Sequence, residues 1–176
     1  RKGKIERFWL DVDREFLLEL EHSPVDTLAE MNQVPIDPHR DPVRIGIVGE
    51  IYVLLEPEAN CHIERILGEY GAEVHRSIFL TGWTEENVIR EGNNQTAREA
   101  AAPYLDEMIG GHGQDTIGHT VLYAKEGIDG VIQLAPFTCI PEIVARAVLP
   151  SVSNDLDIPV ISFFMDEQTG EAGYRT

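Results

Sequence analysis

Residues 129–150 read DGVIQLAPFTCIPEIVARAVLP, and the order of patterns inside them decides the fold. The run DGVIQLAP has the length and apolar content of a buried strand. The segment IPEIVARAV, 140–148, spaces Ile140, Ile143, Val144, Ala147 and Val148 along one helical face. Between them lies PFTCIP, in which Pro141 suits a first helical turn, where amides have no intrahelical partner to lose. A strand that runs through a short loop into a helix is half of a parallel crossover unit.

The same alternation extends in both directions. Downstream, IPVISFF at 158–164 reads as a final strand. Upstream, GGHG at 110–113 opens a helix with the stripe Ile117, Val121 and Ala124 and a stop at Gly127. Earlier still, RIGIVG at 44–49 is a strand. Ile63, Ile66, Leu67 and Tyr70 form a helical stripe that Gly71 ends, and Val74 to Phe79 read as a further strand. Residues 84–109 read as interrupted helix, with Thr96 and Glu99 as a capping box and Pro103 beginning another helix. The predicted fold class is α/β: a parallel sheet with helices on both faces, Rossmann-like or flavodoxin-like, with functional loops at the carboxyl ends of the strands.

Domain organisation follows from breaks in pattern. Ile5, Phe8, Trp9, Val12, Phe16 and Leu20 make an amphipathic helix within an N-terminal helical segment, 1–34, and its apolar stripe predicts packing on another surface or self-association. Prolines 35, 38 and 42 mark an extended linker, 35–43, before the α/β domain, 44–176. The absence of an initial Met and the ending EAGYRT suggest a piece of a longer protein.

A formal net charge of −17 on 176 residues makes nucleic acid and anionic membranes poor partners. No stretch approaches the ~20 apolar residues of a membrane span, and the charged start RKGKIERFW is unlike a secretory signal, so a cytoplasmic location is expected. Cys61 and Cys139 form no CxxC pair and should remain thiols in a reducing compartment.

Chemistry could reside at three strand ends, GEIY, APFTCIPE and MDEQTGEAG, and at the glycine loop. Cys139 stands at a helix start, where free amides and the helix dipole favour a thiolate; a small packed side chain is the plain alternative. Gly110, Gly111, His112 and Gly113 could cradle an anion or simply turn the chain. No Walker A loop and no GxGxxG is present. His112 or His119 could assist Cys139 as a base, making a metal-free cysteine acyl enzyme, though no triad or oxyanion signature accompanies them. Glu50, Asp166, Glu167 and Glu171 lie near the same edge, where caps and solvated carboxylates are common.

Taken together, RIGIVGEIYVLLEP, GAEVHRSIFL, GGHGQDTIGHTVLYAKEGIDGVIQLAPFTCIPEIVA and DEQTGEAGYRT resemble the carboxyl-terminal half of acyl-CoA dehydratase activase-related proteins. These are relatives of the 2-hydroxyacyl-CoA dehydratase subunits of anaerobes, often labelled CoA protein activases. The resemblance runs from about residue 35 to the end. It implies a [4Fe-4S] cluster with Cys139 as one ligand, and an ATP-dependent activator or reductase as partner. It also implies an acyl-CoA substrate for the whole protein, and a homodimer or heterodimer. Glu50, Gly110, Gly111, His112 and Gly113 would then line the substrate cleft. The amino-terminal cluster cysteines of that family are missing here, as is the actin-like ATPase module of true activases, and Cys61 matches no ligand position. A non-enzymatic electron-transfer or scaffold subunit is the rival expectation.

Overall fold

The structure is a computed structural model that describes Gln33, residues 41–79 and residues 95–166. The chain divides into two compact units, Arg1–Asp41 and Pro42–Thr176, and the architecture below is that of the second. The expected N-terminal helix, most of the 35–43 linker and the MDEQTGEAG loop beyond Asp166 lie outside the described residues.

The element order is β1 (Arg44–Gly49), α1 (Ile51–Leu55), α2 (Ile63–Glu69), β2 (Glu73–Arg76), α3 (Gln95–Ala101), α4 (Gly113–Glu126), β3 (Gly130–Pro136), α5 (Ile140–Leu156) and β4 (Val160–Met165). The four strands form one all-parallel sheet in the order β2-β1-β3-β4. This is the flavodoxin-like arrangement, in which the chain leaves β1 in one direction and returns to its other side at β3. The crevice at the carboxyl ends of β1 and β3 is therefore the topological switch point, where open α/β sheets bind their ligands.

Both faces of the sheet are covered. On one, Ile47 and Leu134 from the sheet pack with Val53, Leu54 and Ile63 from α1 and α2. On the other, Val48 and Val131 meet Tyr123 of α4, while Ile117 and Val121 of α4 pack with Ala145 and Val152 of α5. Full burial of side chains such as Leu134 and Ile47 contributes about 1.5–3 kcal/mol each, so strand alternation decides which residues hold each layer. Gly49 at the end of β1 has φ 140°, and a Cβ there would lie 1.8 Å from the Leu134 carbonyl oxygen. Only glycine allows β1 to turn off the sheet so close to β3.

Several local expectations change. The strand expected over 74–79 is Glu73–Arg76. Thr96 lies inside α3 rather than capping it, and no helix begins at Pro103. There the chain turns instead, with Tyr104 and Leu105 donating to the Ala101 carbonyl. The largest revision concerns α5. Ile140 is 73% and Ile143 46% exposed, whereas Glu142, Ala145, Leu149 and Val152 are buried. The inward face is thus rotated by about one residue from the most apolar stripe, and it carries a carboxylic acid.

Candidate functional site at the switch point

The candidate residues from three separate segments meet at the carboxyl edge of the sheet. Glu50 follows β1, and its N–H donates to the Leu134 carbonyl at 3.0 Å, which ties the end of β1 to β3. Its side chain caps α1, accepting from the Val53 N–H at 3.1 Å. After β3, the Cys139 N–H donates to the Pro136 carbonyl at 3.1 Å, closing the turn PFTC, and Cys139 becomes the N-cap of α5.

The glycine loop is seated against that N-terminus. A Cβ on Gly113 would lie 2.3 Å from the Pro141 carbonyl oxygen, and one on Gly111 would lie 2.9 Å from the Pro141 ring. Absence of side chains at these positions lets the start of α4 rest directly on the first turn of α5. His112 is the N-cap residue of α4, makes no side-chain capping bond, and accepts from the Thr116 N–H through its carbonyl at 2.7 Å. Gly110 and Gly111 border a cavity of about 190 Å³ with Arg98, Gln114 and Asp115.

The electrostatics of Cys139 run against the expected thiolate. Burial pushes the thiol pKa up, and the Glu142 and Glu50 carboxylates push it further, outweighing the Glu142 N–H that works in the other direction. The sulfur makes no full capping hydrogen bond. Helix-start amides favour an anion, but here two acidic side chains occupy the same edge. The metal-free thiol is consequently protonated at neutral pH and a weak nucleophile.

Sequence reasoning missed the most constrained group of the site. Glu142, in the first turn of α5, is fully buried. Thr116 donates its hydroxyl to the two carboxyl oxygens at 3.0 and 3.1 Å, and Gln133 Nε2 donates to Oε2 at 2.8 Å and to the Glu142 carbonyl at 2.9 Å. Ser162 donates to Gln133 Oε1 at 2.6 Å, so the chain of bonds links β4, β3, α5 and α4. Burial raises the Glu142 pKa to about 7, against the lowering effect of the Gln133 and Thr116 hydrogen bonds and with help from Glu50 and Asp115. The available signal was Gln133, a polar amide inside an apolar strand, which demands a buried partner.

The other titratable candidates stand apart in character. His119, 6.2 Å from the Tyr123 ring centroid, is held neutral by burial, its pKa pushed down to about 4. Cys61 lies in the turn between α1 and α2, and both cysteines are free thiols. Among the described residues no group of three or more His, Cys, Asp or Glu side chains is placed to hold a metal ion. Cys139 fits a cluster only as a single thiolate ligand, with the remaining ligands supplied from elsewhere. No helix among the described residues is long and apolar enough to cross a membrane.

Set against protein-family models, curated proteins and solved structures, the chain matches none of them.

Proposed function

We propose that this chain is the carboxyl-terminal α/β domain of a [4Fe-4S] 2-hydroxyacyl-CoA dehydratase-like, or CoA enzyme activase-related, protein. In this reading it takes part in ATP-driven single-electron chemistry with an activator or reductase partner. The observation that carries the reading is the convergence of Glu50, the 110–113 loop and Cys139 at one switch point. A bound [4Fe-4S] centre supplies one-electron transfer through thiolate-held iron. Cys139 provides one thiolate, the glycine loop brings unencumbered backbone to the cleft, and Glu50 and His112 are the polar groups offered to an acyl thioester.

The raised thiol pKa favours this reading over a metal-free cysteine acyl enzyme. A free nucleophile needs a lowered pKa or an adjacent base, whereas metal coordination displaces the proton outright. Large exposed side chains at the starts of α1 and α5 and in the turn before α5, Tyr52 at 64%, Ile140 at 73% and Phe137 at 64%, support a second reading in which this edge serves a protein partner.

The test is the iron and sulfide content of the protein isolated without oxygen, together with the subunits that accompany it. Wild type should show iron, sulfide and a broad visible absorption that Cys139→Ser removes and Cys61→Ser leaves. Iron-free protein, or absorption indifferent to Cys139→Ser, overturns the proposal. Loss of an acyl-transfer activity on alkylating metal-free protein would support the cysteine-enzyme alternative instead.

A further inference from the structure

Away from Cys139, the turn between α1 and α2 faces the carboxyl end of β2 across a cavity of about 210 Å³, and we infer that this cavity binds a phosphoryl group. Its walls include His62, Glu64, Arg65 and Arg76, with Leu54 and Pro57 as apolar surface. The chain has 31 acidic side chains against 14 Lys and Arg, so two arginines and a histidine on one small cavity run against the prevailing charge. The inference does not depend on a cluster or on Cys139.

Arg76 is the fixed member. Its side chain is 22% exposed, and Nη1 lies 3.1 Å from Glu64 Oε1. Its guanidinium rests 4.6 Å from the Phe79 ring centroid. Arg76 Nε and Glu64 Oε1 are both buried without a hydrogen-bond partner, so the contact between the two side chains is an ion pair that leaves the Nε–H unmade. A buried N–H left unmade costs about 1–3 kcal/mol, and such a group in a native fold calls for an absent acceptor.

Arg65 and His62 are the adaptable members. Arg65 pairs with Glu69 at 3.0 Å and His62 with Glu58 at 3.2 Å, both i,i+4 contacts between substantially exposed side chains. Exposed pairs of this kind are worth only a few tenths of a kcal/mol, so a dianion in the cavity competes with them successfully. Cys61 and His62 both take the left-handed conformation, φ 54° each, which non-glycine residues adopt at a cost of about 1–3 kcal/mol. The strained turn is what places His62 on the cavity.

Donors from Arg76, Arg65 and His62 suit a tetrahedral phosphoryl group, because a planar carboxylate is satisfied by a single guanidinium fork. The volume is below the about 300–1,000 Å³ of sites that engulf whole drug-sized ligands, so the cavity holds a phosphoryl end and leaves the rest of a larger ligand outside. Its place at the carboxyl edge of the sheet is where open α/β folds bind anions.

The experiment follows the arginine Nε–H resonances of the ¹⁵N-labelled full chain during titration with inorganic phosphate, sodium acetate and glycerol phosphate at matched ionic strength. The Arg76 Nε–H signal should move saturably with phosphate and not with acetate, and tighter binding of glycerol phosphate than of the free ion would mark a phosphate monoester as the ligand. Arg65→Gln, at an exposed position that folding does not require, should weaken phosphate binding about tenfold or more. Arg76→Lys, which keeps the charge and loses Nε–H, should abolish the saturable response read from the remaining arginine signals. Absence of a saturable shift at tens of millimolar phosphate, an equal response to acetate, or indifference to Arg65→Gln would overturn the inference.

Discussion

Gln133 donates from one amide nitrogen to two acceptors of Glu142, the carboxyl Oε2 at 2.8 Å and the backbone carbonyl at 2.9 Å. Through this contact a strand interior holds the first turn of α5, and with it Cys139, whose carbonyl accepts from the Ile143 N–H at 3.0 Å. The arrangement is fully buried, so its bonds are worth most when complete and cost most when broken.

Gln133→Leu removes the donor to the buried Glu142 and the acceptor of the half-buried Ser162. The lost hydrogen bonds and the stranded groups should cost roughly 2–4 kcal/mol of stability. Urea denaturation should show the midpoint fall; an unchanged midpoint would mean the network is dispensable.

The pH dependence of stability should separate Glu142 from His119. The Glu142 pKa is raised to about 7, so its folded state holds the proton more tightly than the unfolded chain does. Its contribution is fully present below the ordinary carboxyl range and is lost as pH rises toward 7. His119 is depressed to about 4, so its contribution is present above the ordinary imidazole range and lost as pH falls toward 4. The two slopes oppose each other between about pH 4.5 and 6.5. Glu142→Gln should therefore uncover a steeper loss of stability on acidification. Measured against wild type, the contribution of Glu142 should amount to something on the order of 3 kcal/mol across its window.

Alkylation of Cys139, followed in a Cys61→Ser background, should rise with pH around a midpoint above that of an unperturbed cysteine. Glu50→Gln keeps an acceptor for the Val53 N–H but removes a negative charge, and should move that midpoint down. A midpoint that stays fixed in Glu50→Gln would remove Glu50 from the site.

Gly113→Ala tests the contact between the loop and α5. The added Cβ falls 2.3 Å from a backbone oxygen, which cannot swing aside as a side chain would. Separation of the helix starts should cost about 1–3 kcal/mol and speed Cys139 alkylation at fixed pH. Native stability with unchanged alkylation would show that the two helix starts are not rigidly seated.

The alternation of strands and helices was legible because each buried strand is a short apolar run and each helix stop carries its own chemistry. Gly127, for example, takes the left-handed conformation that ends α4. Periodicity failed at α5 for a physical reason. An apolar stripe through Ile140 and Ile143 promised burial, but the sheet below presents Gln133, whose amide oxygen is taken by its register partner Ser162 and whose amide nitrogen is satisfied by a carboxylic acid where an isoleucine would leave it unpaired. The polar center of the core was therefore invisible to any reading that ranks faces by hydrophobicity alone. The same neglect of neighbours led to the expectation of a thiolate at Cys139. Its own segment offers helix-start amides, whereas Glu50 arrives from a strand 89 positions earlier.

By itself the sequence determined the α/β class, the candidate loops and the free cysteines, since these depend on local pattern, turn chemistry and composition. Strand order, the joining of Glu50, Gly113 and Cys139, the burial of Glu142 and the Arg76 cavity were decided by tertiary structure alone. Each of those depends on contacts between segments far apart in the chain, where packing and desolvation, not neighbouring residues, set the energy.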